Sequence, residues 1–405
     1  MFVRKIALGT ALAVLMGTGA HAACTTPNDT PVKMLSAGFE AWKAVAAAMG
    51  ECGNFEAELD QEFREKQPTA FAANPSLYQL GGVANGTMTP LLNAGTIRPL
   101  DDLVEKYGQG LSANQLIKVD GQTMAIAMMV NTQHLMIRED VLAELGLAVP
   151  TTWDEVLDAA EAIRASGKME YPLGATMKTG WNLAQDFVNM YAGFGGTFVN
   201  PDNTPAVNSP EGVAALEMMK RMTEYMDPEF LVSDSTYVQQ QFQQGKIAMA
   251  NLWASRAAAM NDEAESQVVG KVKMAAAPMA MAGGKPATTI WWDGIVVAAN
   301  ITDAEAEAAF KLIVEGLDEE MVSGANDAAI WLVAGYQPGP LAEGAIATAV
   351  AGPMPYPSTT QMGLMHTALG NNIADFLTGS ESAEQALADV ETAYLTAARE
   401  AGLIQ

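Results

Sequence analysis

Seven tryptophans stand in this 405-residue chain, and several lie among glycine and polar residues rather than in periodic apolar runs. Trp181 follows Lys178-Thr179-Gly180 and precedes Asn182, Trp253 lies between Asn251 and Ser255-Arg256, and Trp291-Trp292-Asp293-Gly294 opens an apolar strand. Indole faces suit the apolar C–H side of a ring. A few amides, hydroxyls and carboxylates beside them suit a solute's polar groups, in a cleft that excludes water. Trp291 and Trp292 face opposite sides of a strand, so at most one lines such a cleft; the candidate is Trp292. Asp293 accepts from ligand hydroxyls or caps the turn at Gly294. Arg256, three residues after Trp253, pairs with an anionic group on a ligand or with a surface carboxylate. Phe39 and Glu40 follow the first predicted strand, and ligands of open α/β sheets sit beyond the carboxyl ends of strands. Glu40 there is a hydroxyl or amine acceptor, or a solvated carboxylate at a helix start. For every tryptophan the competing role is core or inter-lobe packing, and Trp42, inside a predicted helix, is read as core.

Catalytic chemistry finds little support. Beyond the first 22 residues only His134 and His366 remain, with no Cys or carboxylate at metal-ligand spacing, so no metal or cofactor is expected. There is no G-x-S-x-G elbow, phosphate-binding loop or dinucleotide fingerprint, and no catalytic residue is assigned. The competing class is a secreted carbohydrate-active enzyme working with two carboxylates, for which Glu40 and Asp293 are the pair. The 25 methionines are scattered through apolar segments, as at Met128-Met129 and Met218-Met219, and read as core filling.

The elements that position these residues alternate. A strand over Val32–Ser36 leads to a helix over Phe39–Met49. A helix opens at Asp101, an apolar stretch runs from Gly121 to Leu135, and a short helix spans Val141–Leu145. Thr152 with Glu155 forms a capping box, repeated at Thr302 with Glu305 and Ser382 with Gln385, while Pro210 occupies the first position of another helix. Short strands between helices of this length predict an α/β architecture with largely parallel sheets.

Composition limits what surrounds this architecture. Met1–Ala22 carries Arg4 and Lys5, a short apolar run and Ala20-His21-Ala22, the pattern of a cleavable secretory signal. The remainder exceeds the roughly 250–300 residues at which one core stops growing, which predicts two lobes. The formal charge of −25, more negative once Arg4 and Lys5 leave, excludes nucleic acid and anionic lipid as partners. The two cysteines, Cys24 and Cys52, are expected to pair in an oxidising compartment. A free thiol and lipidation of Cys24 are the alternatives.

From Leu135-Met136-Ile137-Arg138-Glu139-Asp140-Val141-Leu142 through Leu145-Gly146-Leu147 to Val149-Pro150-Thr151-Thr152-Trp153-Asp154-Glu155, the chain resembles family 1, the carbohydrate-type, maltose-binding-protein-like extracellular solute-binding proteins of ABC importers. Phe242-Gln243-Gln244-Gly245-Lys246-Ile247-Ala248-Met249 followed by Trp253, the Gly193–Phe198 segment and the Ile290–Ala299 strand extend the likeness. The family's Tyr-Tyr-Asn-Lys is here Leu135-Met136-Ile137-Arg138, which leaves the ligand open.

The resemblance implies a two-lobe periplasmic binding protein fold with hinge crossings and a ligand cleft between the lobes. Lobe one is expected at 23–128 plus 270–320, and lobe two at 129–269 plus 321–405. It further implies Trp181 and Trp253 as stacking residues, Asn131 as a polar contact, and Trp331 with Tyr336 as a lid. The expected partners are a small sugar, polyol or sugar derivative and an ABC permease in the inner membrane. The protein itself is expected to be a periplasmic monomer; a sensory binding protein for a chemoreceptor would read the same.

Overall fold

A computed structural model describes Cys24 and residues 28–405; the expected signal segment Met1–Ala22 lies outside the described residues. Two sheets organise the molecule. The first contains β1 (Asn28–Ser36), β2 (Gly53–Leu59), β3 (Leu80–Ala84), β4 (Leu116–Val119), β5 (Gln122–Asn131), β10 (Trp291–Val297) and β11 (Ile330–Trp331). Its order is β11-β5-β10-β3-β1-β2, with β4 also paired to β5. The second contains β6 (Gln133–Arg138), β7 (Leu173–Gly174), β8 (Met249–Trp253) and β9 (Val272–Ala275), ordered β7-β8-β6-β9.

Both sheets are covered on both faces, and the period of two shows which residue goes where. Ile295 and Val297 face one core of the first sheet, with Val32, Trp42 and Phe310, whereas Val296 faces the other, with Phe71, Val83 and Leu91. In the second sheet Leu135 and Ile137 pack with Trp153, Phe187 and Leu216, and Met136 turns to the opposite side with Phe242 and Leu252. The flanking helices begin where short polar side chains accept their orphan amides. Thr152 Oγ1 accepts from the Glu155 amide and Glu155 Oε2 from the Thr152 amide, both at 3.2 Å. Thr302 and Ser382 cap their helices in the same way.

The expectation of largely parallel sheets is corrected. β1 pairs in parallel with β2 and β3, because helices Glu40–Glu51 and Phe63–Ala72 carry the chain back each time. β10 is antiparallel to both β3 and β5, and β6 is antiparallel to β8 and β9. β10 pairs antiparallel after the chain has left the first sheet, passed through the second and returned, whereas β4 and β5 form a local hairpin and β6, β8 and β9 pair within the second sheet.

The sheet membership of β9 and β11 also shifts the expected lobe boundaries. β9 pairs with β6 in the second sheet, so the return to the first sheet falls between Ala275 and Trp291 rather than at residue 270. β11 pairs with β5 in the first sheet, so the last crossing follows Trp331 rather than residue 320. The first crossing is at Thr132, whose hydroxyl lies 2.9 Å from that of Thr288 and donates to the Thr289 carbonyl at 3.1 Å. Two of the crossing segments are thus tied side by side. Cys24 and Cys52 form a disulfide with their Cα atoms 5.2 Å apart, tying Cys24 to the end of the first helix.

Candidate functional site

The carboxyl ends of β1, β2 and β3 face those of β7 and β8 across a cleft of about 360 Å³. From the first lobe come Phe39 after β1, Glu62, Phe63 and Arg64 after β2, Thr87 after β3, and Asn131 and Asp293 on the crossing strands. Lys178, Trp181, Asn182, Asp234, Trp253, Ser255 and Arg256 come from the second, and Trp291 lies between. Five helices start around it, at Glu40, Phe63, Asn85, Trp181 and Ser235; the first four follow β1, β2, β3 and β7, the ordinary consequence of strand-to-helix connections.

Trp181, Trp253 and Trp291 pack on one another, with ring centroids 5.6–6.5 Å apart. Tyr356 lies 4.1 Å from Trp291, and His366 lies 5.0 Å from Trp181. Trp253 and Trp291 are buried, and the Trp291 indole N–H donates to Thr289 Oγ1 at 2.9 Å. The guanidinium of Arg64, from the first lobe, lies 4.3 Å over the ring of Trp181 in the second. Arg256 makes the reciprocal approach, 5.8 Å from the Phe39 ring. A solute ring that stacks on this face of Trp181 must displace Arg64.

Asn131 joins the polar groups of the two lobes. Its Nδ2 donates to Ser255 Oγ at 3.2 Å and to Asp293 Oδ2 at 3.4 Å, while its Oδ1 accepts from the Thr132 and Ser255 amides. Desolvation drives the Asp293 pKa up to about 7, against the opposing pull of the Asn131 hydrogen bond and the Arg64 charge. The Arg64 side chain is exposed, and partial desolvation at the cleft lowers its pKa from the ordinary arginine value. Arg256 is 9% exposed, is lowered to about 10 by the same cause, and donates to Gln239 Oε1 at 3.0 Å.

Six expected ligand residues, Phe39, Asn131, Trp181, Trp253, Arg256 and Asp293, border this cleft. Three do not. Trp292 points to the opposite face of β10 and packs beside Val83 and Met88, so Trp291 stands where Trp292 was expected. Glu40 begins its helix in an exposed ion pair with Lys43, so Glu40 and Asp293 do not form a carboxylate pair in one cleft. Trp331 is no lid: it is 3% exposed in the first core, and its indole N–H donates to the Ala325 carbonyl at 2.9 Å. Arg64, Lys178, Asn182, Asp234, Ser255 and Trp291 were not anticipated. Arg64 and Lys178 follow β2 and the two-residue β7, so the same strand-end argument that selected Phe39 would have found them once those strands were recognised.

The profile of the bacterial extracellular solute-binding protein family matches residues 39–322. Among curated relatives, a probable ABC transporter-binding protein of Deinococcus radiodurans is 30% identical over 42% of this chain and 42% of its own length. The sn-glycerol-3-phosphate-binding periplasmic protein UgpB of Agrobacterium fabrum is 27% identical over 36% of this chain and 35% of its own. The matched stretches thus span less than half of these relatives. Among solved structures, a solute-binding protein of Agrobacterium radiobacter in complex with ribitol superposes with a TM-score of 0.79 at 23% identity, covering 91% of this chain and 98% of that one. Maltose-bound T. maritima MalE3 gives 0.79 at 19%, covering 90% and 99%. A D-mannitol-bound protein of Agrobacterium vitis gives 0.78 at 19%, covering 92% and 99%. The overall shape is therefore the two-lobe fold of those binding proteins, and with the family profile running through most of its length, this chain belongs to the bacterial extracellular solute-binding proteins.

Proposed function

We propose that the protein captures a small carbohydrate, polyol or sugar derivative in the periplasm and delivers it to the permease of an ABC importer. The observation that carries this reading is the inter-lobe cleft, where Trp181 and Trp253 from one lobe face Phe39, Asn131 and Asp293 from the other and its crossing strands. A volume of about 360 Å³ lies at the small end of ordinary ligand pockets, which suits a solute of the size bound by the ribitol and mannitol relatives. Phe39 and the tryptophans offer apolar edges. Asp293 accepts from hydroxyls when ionised and donates when protonated, and its pKa of about 7 makes both forms available near neutrality.

Closure follows from differential affinity, since a ligand shifts the lobes only by binding the closed arrangement more tightly than the open one. The tied crossing segments at Thr132 and Thr288 are where the chain would bend. On this reading the protein acts as a monomer without turnover, and the permease recognises the closed form.

Intrinsic tryptophan fluorescence, titrated with sugars, polyols and sugar acids, tests the reading. At least one member is expected to give a saturable change at one-to-one stoichiometry, with no product after prolonged incubation. Silence across the panel contradicts the reading, and accumulating product points instead to the carbohydrate-active enzyme.

A further inference from the structure

We propose that the solute carries an oxyanion, a carboxylate or a phosphate on a polyol or sugar frame, and that Arg256 and Arg64 hold it from opposite lobes; this rests on the solute-capture reading above. Arg256 is nine-tenths buried, and among the described residues it enters no ion pair. A guanidinium offers five N–H donors in a planar fork. One of these goes to Gln239 Oε1, and the side chain borders the cleft. Burying a cation without an anion is unfavourable, so an oxyanion entering here meets donors already desolvated and spared competition from a protein carboxylate in contact.

Arg64 enters the same space from the other lobe. It likewise makes no ion pair among the described residues and rests on Trp181 and Phe63. Both guanidinium groups border the same cleft, so an anion between them would meet both. Two features of the second wall add to the positive potential. Lys178 lies at the cleft, 3.6 Å from Asp234. The 13-residue helix Trp181–Gly193 starts after Gly180, which has no side chain to cap the first-turn amides, and its Trp181 and Asn182 border the cleft.

Three carboxylates, Glu62, Asp234 and Asp293, share the cleft with these cations, and Glu62 is exposed. Asp234 is engaged by Lys178 and by the Thr236 and Tyr237 amides, and Asp293 is held mainly by Asn131. In a chain of charge −25, the gathering of Arg64, Lys178 and Arg256 at one cleft is a local construction. Closure brings the second arginine onto the anion, so the charge of the solute itself contributes to holding the lobes together.

The test is calorimetric titration with D-mannitol, D-mannonate and D-mannitol 1-phosphate, and with ribitol, D-ribonate and D-ribitol 5-phosphate, at fixed ionic strength. At least one acid or phosphate is expected to bind about ten-fold or more tighter than its neutral parent. The carboxylate and phosphate arms tell which oxyanion is preferred. In Arg256→Gln the affinity ratio of anion to parent is expected to collapse about ten-fold, and Arg256→Lys should restore part of it; the lysine variant also serves if the glutamine variant does not fold. Arg64→Gln should lower the ratio independently. Neutral parents that bind as tightly as their anions overturn this inference and leave solute capture standing. A ratio untouched by both arginine substitutions also overturns it. Failure of every solute to bind removes the capture reading and this inference with it.

Discussion

Asp186 shows what a single buried group does to this protein. It is 5% exposed, its Oδ1 accepts from Thr176 Oγ1 at 3.1 Å, and its Oδ2 has no partner. Desolvation lifts its pKa from 3.8 to about 7. Below about pH 4 both the folded and the open chain hold the proton. From there to about pH 7 only the folded chain does, so its contribution to stability falls as pH rises through that window. Asp186→Asn is expected to remove this slope, leaving the variant more stable than the wild type at pH 8 by about 1–3 kcal/mol, with the difference vanishing near pH 4. Urea unfolding at the two pH values measures it, and an equal difference at both would show that Asp186 does not titrate this way. At this scale the sequence was partly legible. Asp293 and Trp292 were both expected at the cleft, yet adjacent strand residues face opposite sides. Accepting Asp293 therefore selects Trp291, its neighbour two positions away, and the sequence already contained that constraint.

Elements place these residues through close backbone approach and capping. At Gly294 the β5–β10 register shifts, and a Cβ there would meet the Ile126 carbonyl oxygen at 2.4 Å and Ala127 Cα at 2.7 Å. The adjoining bulge helps aim Asp293 at the cleft, as such irregularities re-aim side chains beside sites. Gly294→Ala is expected to destabilise the protein by about 1–3 kcal/mol and to weaken solute binding as well, which melting and titration together would show. Thr152→Ala removes one half of a capping box far from the cleft. It is expected to reduce stability by about 1 kcal/mol with the solute affinity unchanged. Helix starts were legible because Thr152, Thr302 and Ser382 act over three residues. Strand pairing was not, because the partners of β10 lie at residues 80–84 and 122–131, and nothing local records whether a returning strand runs parallel or antiparallel.

The whole molecule is two sheets joined by crossings, and its stability includes one covalent tie. The Cys24–Cys52 bridge spans a sequence separation of 28, and in the loop-entropy account its reduction is expected to lower stability by about 3–4 kcal/mol. Denaturant unfolding with and without reductant measures this. The two-lobe plan was legible from length and from the run of family-like segments, while the boundaries near residues 270 and 320 were displaced by β9 and β11, strands of four and two residues. Such short segments gain their structure from the sheet they join, so their own residues signal little. Solute capture between the lobes is the central claim at this scale, and it is tested most directly by calorimetry of the wild type and Trp253→Ala with the tightest-binding member of the solute panel. One site per chain, with affinity at least about ten-fold weaker in the variant, is predicted. Equal affinity in the two proteins, or no heat from the wild type with any solute, would contradict it.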